Sequence, residues 1–313
     1  MPDATMSKTE HRGDRIFRIL TAACAFVVIA LMAGIVVELV RNSGLSMRTF
    51  GLDFLTSDAW SPGKGEFGAL SSVFGTVVST AIAMVIAVPL SIIIAIYLVE
   101  VAPTRLARFV GGAIELLAAV PSIIYGMWGL FVFASLMQNT LQPWLGDNLG
   151  FLPLFQGPPM GIGMLTAGLI LALMVIPFIT AVTRDVLSMV PPVLKESAHG
   201  VGATLWEAVR HVSLKYGRRG IVGAVFLGFG RALGETMAVT FVIGNSHKIS
   251  ASLFAAGNTI ASSLANEFNE ASEPLYLSSL FQLALVLFGL TLVFQVLAHL
   301  WVGRMQRLEA GDR

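Results

Sequence analysis

An arginine and a glutamate interrupt a stretch that is otherwise apolar. In Arg231-Ala232-Leu233-Gly234-Glu235, within about Ile221 to Ile243, the two charges stand four residues apart. On a continuous helix that spacing puts a guanidinium and a carboxylate on one face. Each charge at mid-bilayer costs on the order of 2.5 to 3.5 kcal/mol, so mutual pairing or a wet cavity is expected. Two roles fit. One is a structural ion pair inside a helical bundle. The other puts Arg231 on a substrate path, where its planar fork matches a tetrahedral oxyanion. The two can coexist.

A second constellation lies between apolar runs, in the polar link from Asp185 to Gly220. Pro191 and Pro192 end any preceding helix. A short helical pattern, Val193 to His199, then meets Gly200 and Gly202, which suit a sharp turn. A second helix is predicted to start at Thr204, with Glu207 completing a capping box. Leu205, Ala208, Val209 and Val212 follow at helical spacing. Two short helices joined at glycines can offer a ridge to a partner's groove, or serve only as an interfacial connector.

Other chemistries have no pattern to support them. Cys24 is the single cysteine, so no intrachain disulfide or thiolate cluster is possible; it reads as a buried, inert thiol in an apolar run. The five histidines show no ligand spacing, so no metal site is expected, and no cofactor is implied. No catalytic set of the Ser-His-Asp or paired-carboxylate kind is evident. No G-x-x-x-x-G-K-[ST] run is present to cradle phosphates, so ATP hydrolysis would have to occur on a separate polypeptide.

The elements that must position these groups are membrane helices. Of 313 residues, 55% are hydrophobic and 12% charged, with a net charge of +1. A helix crosses the hydrocarbon core with about 20 apolar residues, and six segments approach that length: about 19–37, within 70–99, 110–137, 163–183, 221–243 and 275–302. The fold class expected is all-α, a polytopic membrane helical bundle of about six transmembrane helices. Glu115 interrupts the third segment near its inner end and can snorkel to the interface. Pro89, Pro121 and Pro177 fall within segments two, three and four, as static kinks or hinges. His299 is read as interfacial.

Orientation follows from the basic residues. Lys8, Arg12, Arg15, Arg18, Arg105, Arg108, the link residues Arg184, Lys195, Arg210, Lys215, Arg218 and Arg219, and Arg304, Arg307 and Arg313 fall on one side. The other carries only Arg41, Arg48, Lys64 and Lys248. Both termini are therefore placed in the cytoplasm. The N-terminus resembles a signal peptide, but its apolar run is long and no A-x-A-like site follows directly, so an uncleaved first helix is preferred. The organisation expected is a tail at 1–15, one transmembrane domain at 16–305 with its inner link at about 185–219, and a tail at 306–313.

Glu196-Ser197-Ala198, three residues, Gly202, nine residues, then Val212-Ser213-Leu214 resembles the EAA loop of binding-protein-dependent ABC importer permeases of type I. The family pattern is Glu-Ala-Ala, three residues, Gly, nine residues, Ile-x-Leu-Pro. Ser197 replaces the first Ala, Val212 the Ile and Lys215 the Pro. The resemblance implies that Glu196, Ala198, Gly202 and the helix carrying Thr204, Trp206, Glu207, Val209 and Val212 dock onto an ATPase. Gly228 to Val239, with Arg231-Ala232-Leu233-Gly234-Glu235-Thr236-Met237, is similar to a segment of phosphate-importer permeases. Molybdate and sulfate relatives usually have Phe-Gly after the Glu. Ile114 to Gly129 and the outer stretch from Phe54-Leu55 through Trp60-x-Pro62 to Leu70 carry the same likeness, which spans about 15–305. It implies a phosphate pathway at Arg231, Glu235 and Thr236 in a bacterial cytoplasmic (inner) membrane. It also implies a homologous permease subunit, two ATP-binding subunits and an extracytoplasmic phosphate-binding protein as partners. A related oxyanion is the near alternative. An ion-coupled secondary transporter is the rival from another class, and it leaves the EAA-like loop without a purpose.

Overall fold

A computed structural model describes residues 8–311; the first seven residues of the expected N-terminal tail and the last two of the C-terminal tail lie outside the described residues. With several short helical turns left out, the chain runs α1 (Lys8–Asn42), α2 (Gly44–Phe50), a hairpin of β1 (Trp60–Ser61) and β2 (Glu66–Phe67), then α3 (Leu70–Ile96), α4 (Thr104–Ala118) and α5 (Ser122–Trp128). It continues with α6 (Gln142–Leu149), α7 (Met164–Ser188), α8 (Pro192–Gly200), α9 (Leu205–Ala208), α10 (Leu214–Leu233), α11 (Met237–Val242), α12 (Ile260–Glu267) and α13 (Pro274–Gly311).

Among the described residues four helices are long and apolar enough to cross a membrane: Gly13–Asn42, Leu70–Val101, Met164–Ser188 and Pro274–Trp301. Thr104–Ala118 with Ser122–Leu149 is a fifth if that pair, bent by 89°, forms a single span. The bend falls at Val120-Pro121. Pro121 is therefore a corner residue that starts α5, not a kink inside a span. Pro89 and Pro177 do lie inside α3 and α7. Cys24 lies exposed on α1 and is not buried as expected, because the apolar face of that helix is left uncovered by the rest of the chain. The expected fifth apolar segment departs most from a simple span. It is α10, a break at Gly234–Thr236, and the short α11.

The bundle centres on α3 crossing α7. Lipid supplies no hydrophobic drive between helices, so small residues that let backbones approach hold such contacts together. Along α3 the buried stripe is Ser72, Thr76, Ser79, Ala83, Ala87, Ser91 and Ala95, every member small. At Gly168 of α7 a Cβ would stand 2.6 Å from the Ile82 side chain; only glycine permits that crossing. Buried Ile170, Leu171, Met174, Val175 and Ile179 of α7 pack with Ala224 and Ala232 of α10 and Val239 and Val242 of α11.

The end of the bundle away from the 185–219 link is closed by a polar knot. Gly65 takes φ +69° to turn the hairpin, which pairs Trp60 with Phe67. The Trp60 indole stacks on His247 with centroids 5.2 Å apart. Trp60 Nε1 and the Tyr276 hydroxyl donate to Glu267 Oε2 at 2.6 and 2.7 Å, and His247 Nε2 lies 2.9 Å from Oε1. Burial alone would raise the Glu267 carboxyl, but the hydrogen bonds from His247, Tyr276 and Trp60 outweigh it and hold it below the usual range.

Candidate functional site

The link at 185–219 folds into a corner built by local sequence. Pro192 starts α8, where its missing N–H costs nothing. Gly202 takes φ +90° between the two short helices, a conformation that L side chains rarely adopt. Gly200 is helical and takes no part in the turn itself. Thr204 caps α9: its Oγ1 accepts from Glu207 N, while Glu207 Oε2 accepts from the Thr204 backbone N–H at 2.8 Å. Hydrogen bonds from the Thr204 N–H and hydroxyl hold the Glu207 carboxyl below its ordinary value. After one turn, α9 widens into a π-type turn at Val209–Ser213 and continues directly into α10. The corner is thus continuous with a bundle helix.

The corner's exposed surface differs from the expected ridge. Glu196, Gly202, Thr204, Trp206 and Glu207 are exposed, while Ala198 and Val212 are half-buried. Val209 is buried, at 3% exposure, with Ala208 at 4%. The stripe expected from helical spacing therefore includes residues that the chain itself covers, and Val209 is not available to a partner. The outward apolar face is instead Val193, Leu194, Val201, Leu205 and Trp206, of which Val201 is 87% and Trp206 63% exposed.

The charged pair is not an ion pair. Helix α10 ends at Leu233, and Gly234 to Thr236 form the break, so the spacing that would align Arg231 with Glu235 no longer applies. Glu235 Oε1 instead accepts from the Ala238 N–H at 3.2 Å and satisfies the start of α11. Thr236 spends its hydroxyl on the Gly234 carbonyl at 3.3 Å and accepts from Thr240 through its own carbonyl. Arg231 stands in the last turn of α10, where a cation suits the helix dipole. Its guanidinium carbon lies 5.4 Å over the Phe178 ring. Its Nε is buried without a hydrogen-bond partner among the described residues. A buried donor left unmade is expensive, and here it gives a half-buried cation spare capacity for an anion. Broken helices at membrane depth are tolerated where they line protein or a wet cavity.

Residues 87–307 match the family described as "Binding-protein-dependent transport system inner membrane component". The chain belongs to that family. The matched region contains both the corner and the charged break and leaves out α1, α2 and the hairpin. Among its relatives, the phosphate transport system permease protein PstC of Mesorhizobium japonicum is 52% identical, covering 93% of this chain and 90% of the relative. The protein of the same name from Haemophilus influenzae is 51% identical, with 94% of each covered. PstC 2 of Mycobacterium tuberculosis is 36% identical, covering 94% of this chain and 93% of that one. Two solved structures share the fold. A bacterial alginate ABC transporter aligns with TM-score 0.62 at 14% identity, over 96% of this chain and 98% of the other. An inward-facing methionine ABC transporter aligns with TM-score 0.53 at 19% identity, over 76% and 94%.

Within this inner-membrane component, Glu100, just past the second apolar run, is not singled out by sequence pattern. Yet its Oε1 lies 2.8 Å from Lys195 Nζ and accepts from Ser213 Oγ at 2.7 Å. Nothing in local spacing signals contacts across such separations. Glu115, expected to snorkel, is engaged by Arg184 Nη2 at 2.5 Å, which ties α4 to α7.

Proposed function

We propose that the chain is the membrane permease subunit of an ATP-driven phosphate importer and that it is moved from its inner side by separate ATPases. The observation that carries this reading is the inner corner: an exposed apolar face of Val193, Leu194, Val201, Leu205 and Trp206 on a capped, glycine-turned pair of short helices. An amphipathic knob of this kind fits a groove on a partner. The names of the relatives supply the substrate.

The pathway in this reading is formed with a homologous permease (PstA-like). An extracytoplasmic phosphate-binding protein (PstS-like) delivers the anion outside, and two ATP-binding subunits (PstB-like) engage the corner in the cytoplasm. Both termini are then cytoplasmic, as the basic residues favour. Closure of the ATPases draws the corners of the two permeases together. Because α9 runs on into α10, that movement reaches Arg231 and the break at Gly234–Thr236. Arg231 offers the guanidinium fork to phosphate, Glu235 keeps the break in shape, and Thr236 lies beside it. Pro89 and Pro177 inside α3 and α7, and Pro121 at its corner, are the proposed flexing points.

Labelled-phosphate uptake into vesicles holding the reconstituted complex tests the reading. Accumulation that needs both ATP and the binding protein is expected. Uptake by this chain alone, driven by an ion gradient, would overturn it.

A further inference from the structure

We propose that Glu100 is the positioning residue through which the inner corner acts on α3. The inference rests on the coupling role proposed for that corner and goes one step further, to the part that receives the motion.

Helix α8 buries none of its nine residues, so packing alone does not fasten it to the bundle. Lys195 of α8 reaches Glu100, whose side chain is only 8% exposed. Ser213, which closes the π-type turn leading into α10, donates to the same carboxylate oxygen. One oxygen therefore holds both limbs of the corner: the helix before Gly202 and the helix after it. Glu100 itself lies in a second wide turn, Tyr97–Val101, where the Ala102 N–H donates to the Tyr97 carbonyl five residues back. Such turns interrupt the regular helix ladder and often mark working positions. Just above, Ala95 of α3, Leu187 of α7 and Ile221 of α10 form a small apolar cluster. It joins the inner ends of three bundle helices but includes no residue of α8. The polar joint supplies that link.

A charge-assisted contact of low exposure keeps its length better than a surface ion pair. When the corner is displaced, α3 is therefore drawn along by Lys195, while α10 follows through its own backbone. Without the carboxylate the corner still docks and the ATPases still turn over, but α8 no longer pulls on α3. The defect is loss of coupling, not loss of assembly.

The test uses the whole reconstituted complex with Glu100→Gln, a change that keeps an acceptor for Ser213 and removes the charge partner of Lys195. Phosphate transported per ATP hydrolysed is expected to fall at least about fivefold, with ATPase turnover within about twofold of the parent. The double variant Glu100→Lys, Lys195→Glu restores the pair with reversed sign and is expected to recover most of the ratio, which neither single reversal does. In a Cys24→Ser background, Val201→Cys should cross-link to the ATPase subunit with or without Glu100→Gln. Cross-linking with an unchanged transport-to-ATP ratio in Glu100→Gln overturns the joint alone. Failure of the parent corner to cross-link overturns the docking reading, and the joint with it. A fall in assembly that accounts for all of the lost transport marks Glu100 as a structural residue and also overturns the proposal.

Discussion

Arg231 carries the clearest chemistry at the scale of single residues. Its Nε is buried and unpartnered among the described residues, and its guanidinium carbon lies over the Phe178 ring. Hydrogen bonds to charged groups are worth about 1.5 to 3 kcal/mol, roughly ten- to a hundredfold in rate or affinity. Arg231→Ala is therefore expected to lower ATP-driven phosphate uptake by at least about that range while the complex still assembles. Arg231→Lys keeps the charge but loses the planar fork and should stay well below the parent. Normal uptake by the alanine variant in vesicles would remove Arg231 from the pathway. The residue was legible from sequence because a cation in an apolar run has to be explained. Its partner was not. The i, i+4 rule presumes a continuous helix, and Gly234 ends that helix before Glu235 is reached. The same limit applies to Glu100, whose partners come from another element altogether.

The capping box of α9 was legible at the level of elements because it is written within four consecutive residues, Thr204 to Glu207. Tertiary context had nothing to override. The direction of the apolar stripe was not legible, since helical spacing says which residues share a face but not which neighbour covers it. Val209 turned inward and Trp206 outward for that reason. Loss of a Ser or Thr cap costs about 1 kcal/mol. Thr204→Ala should weaken the grip of the permease on its ATPase about fivefold in co-purification, with the spans unaffected. The Glu207 carboxyl has its folded value lowered by Thr204, so its contribution is complete above the ordinary carboxylate range and is lost as pH falls through the lowered value. The difference between the parent and Glu207→Gln in ATPase retention should accordingly shrink on acidification from neutral pH. A difference that grew instead would contradict the box as the source of order.

The molecule as a whole is fastened differently at its two ends, and the contrast suits a machine driven from inside. The inner corner is exposed and joined by few contacts. The outer end is knotted through Glu267, which gathers Trp60 of the hairpin, His247 of the segment after α11, and Tyr276 of α13. Asn258 extends the knot by donating to Ser72 of α3 at 2.7 Å. A fixed outer frame lets displacement at the corner appear as a change in the angle between helices instead of a drift of the bundle. Glu267→Ala strands three donors, two of them with hydroxyl or indole hydrogens that have no other partner in the knot. The cost is about 2 kcal/mol, visible as a lower melting midpoint of the complex in detergent. The sign of its pH dependence follows from the direction of the shift. The folded carboxyl lies below its ordinary value, so its stabilisation is present above about pH 4.3, the free Glu value, and disappears as pH falls through the folded one. The gap in midpoint between parent and Glu267→Ala should be full near neutral pH and close in acid, as the parent loses its knot. Trp60 and Tyr276 remain neutral in this range, so neither donor is lost as the pH falls. A gap that stays constant from neutral to acid pH would mean that the outer frame is held by packing, with Phe54, Phe67 and Leu280 as its fastening.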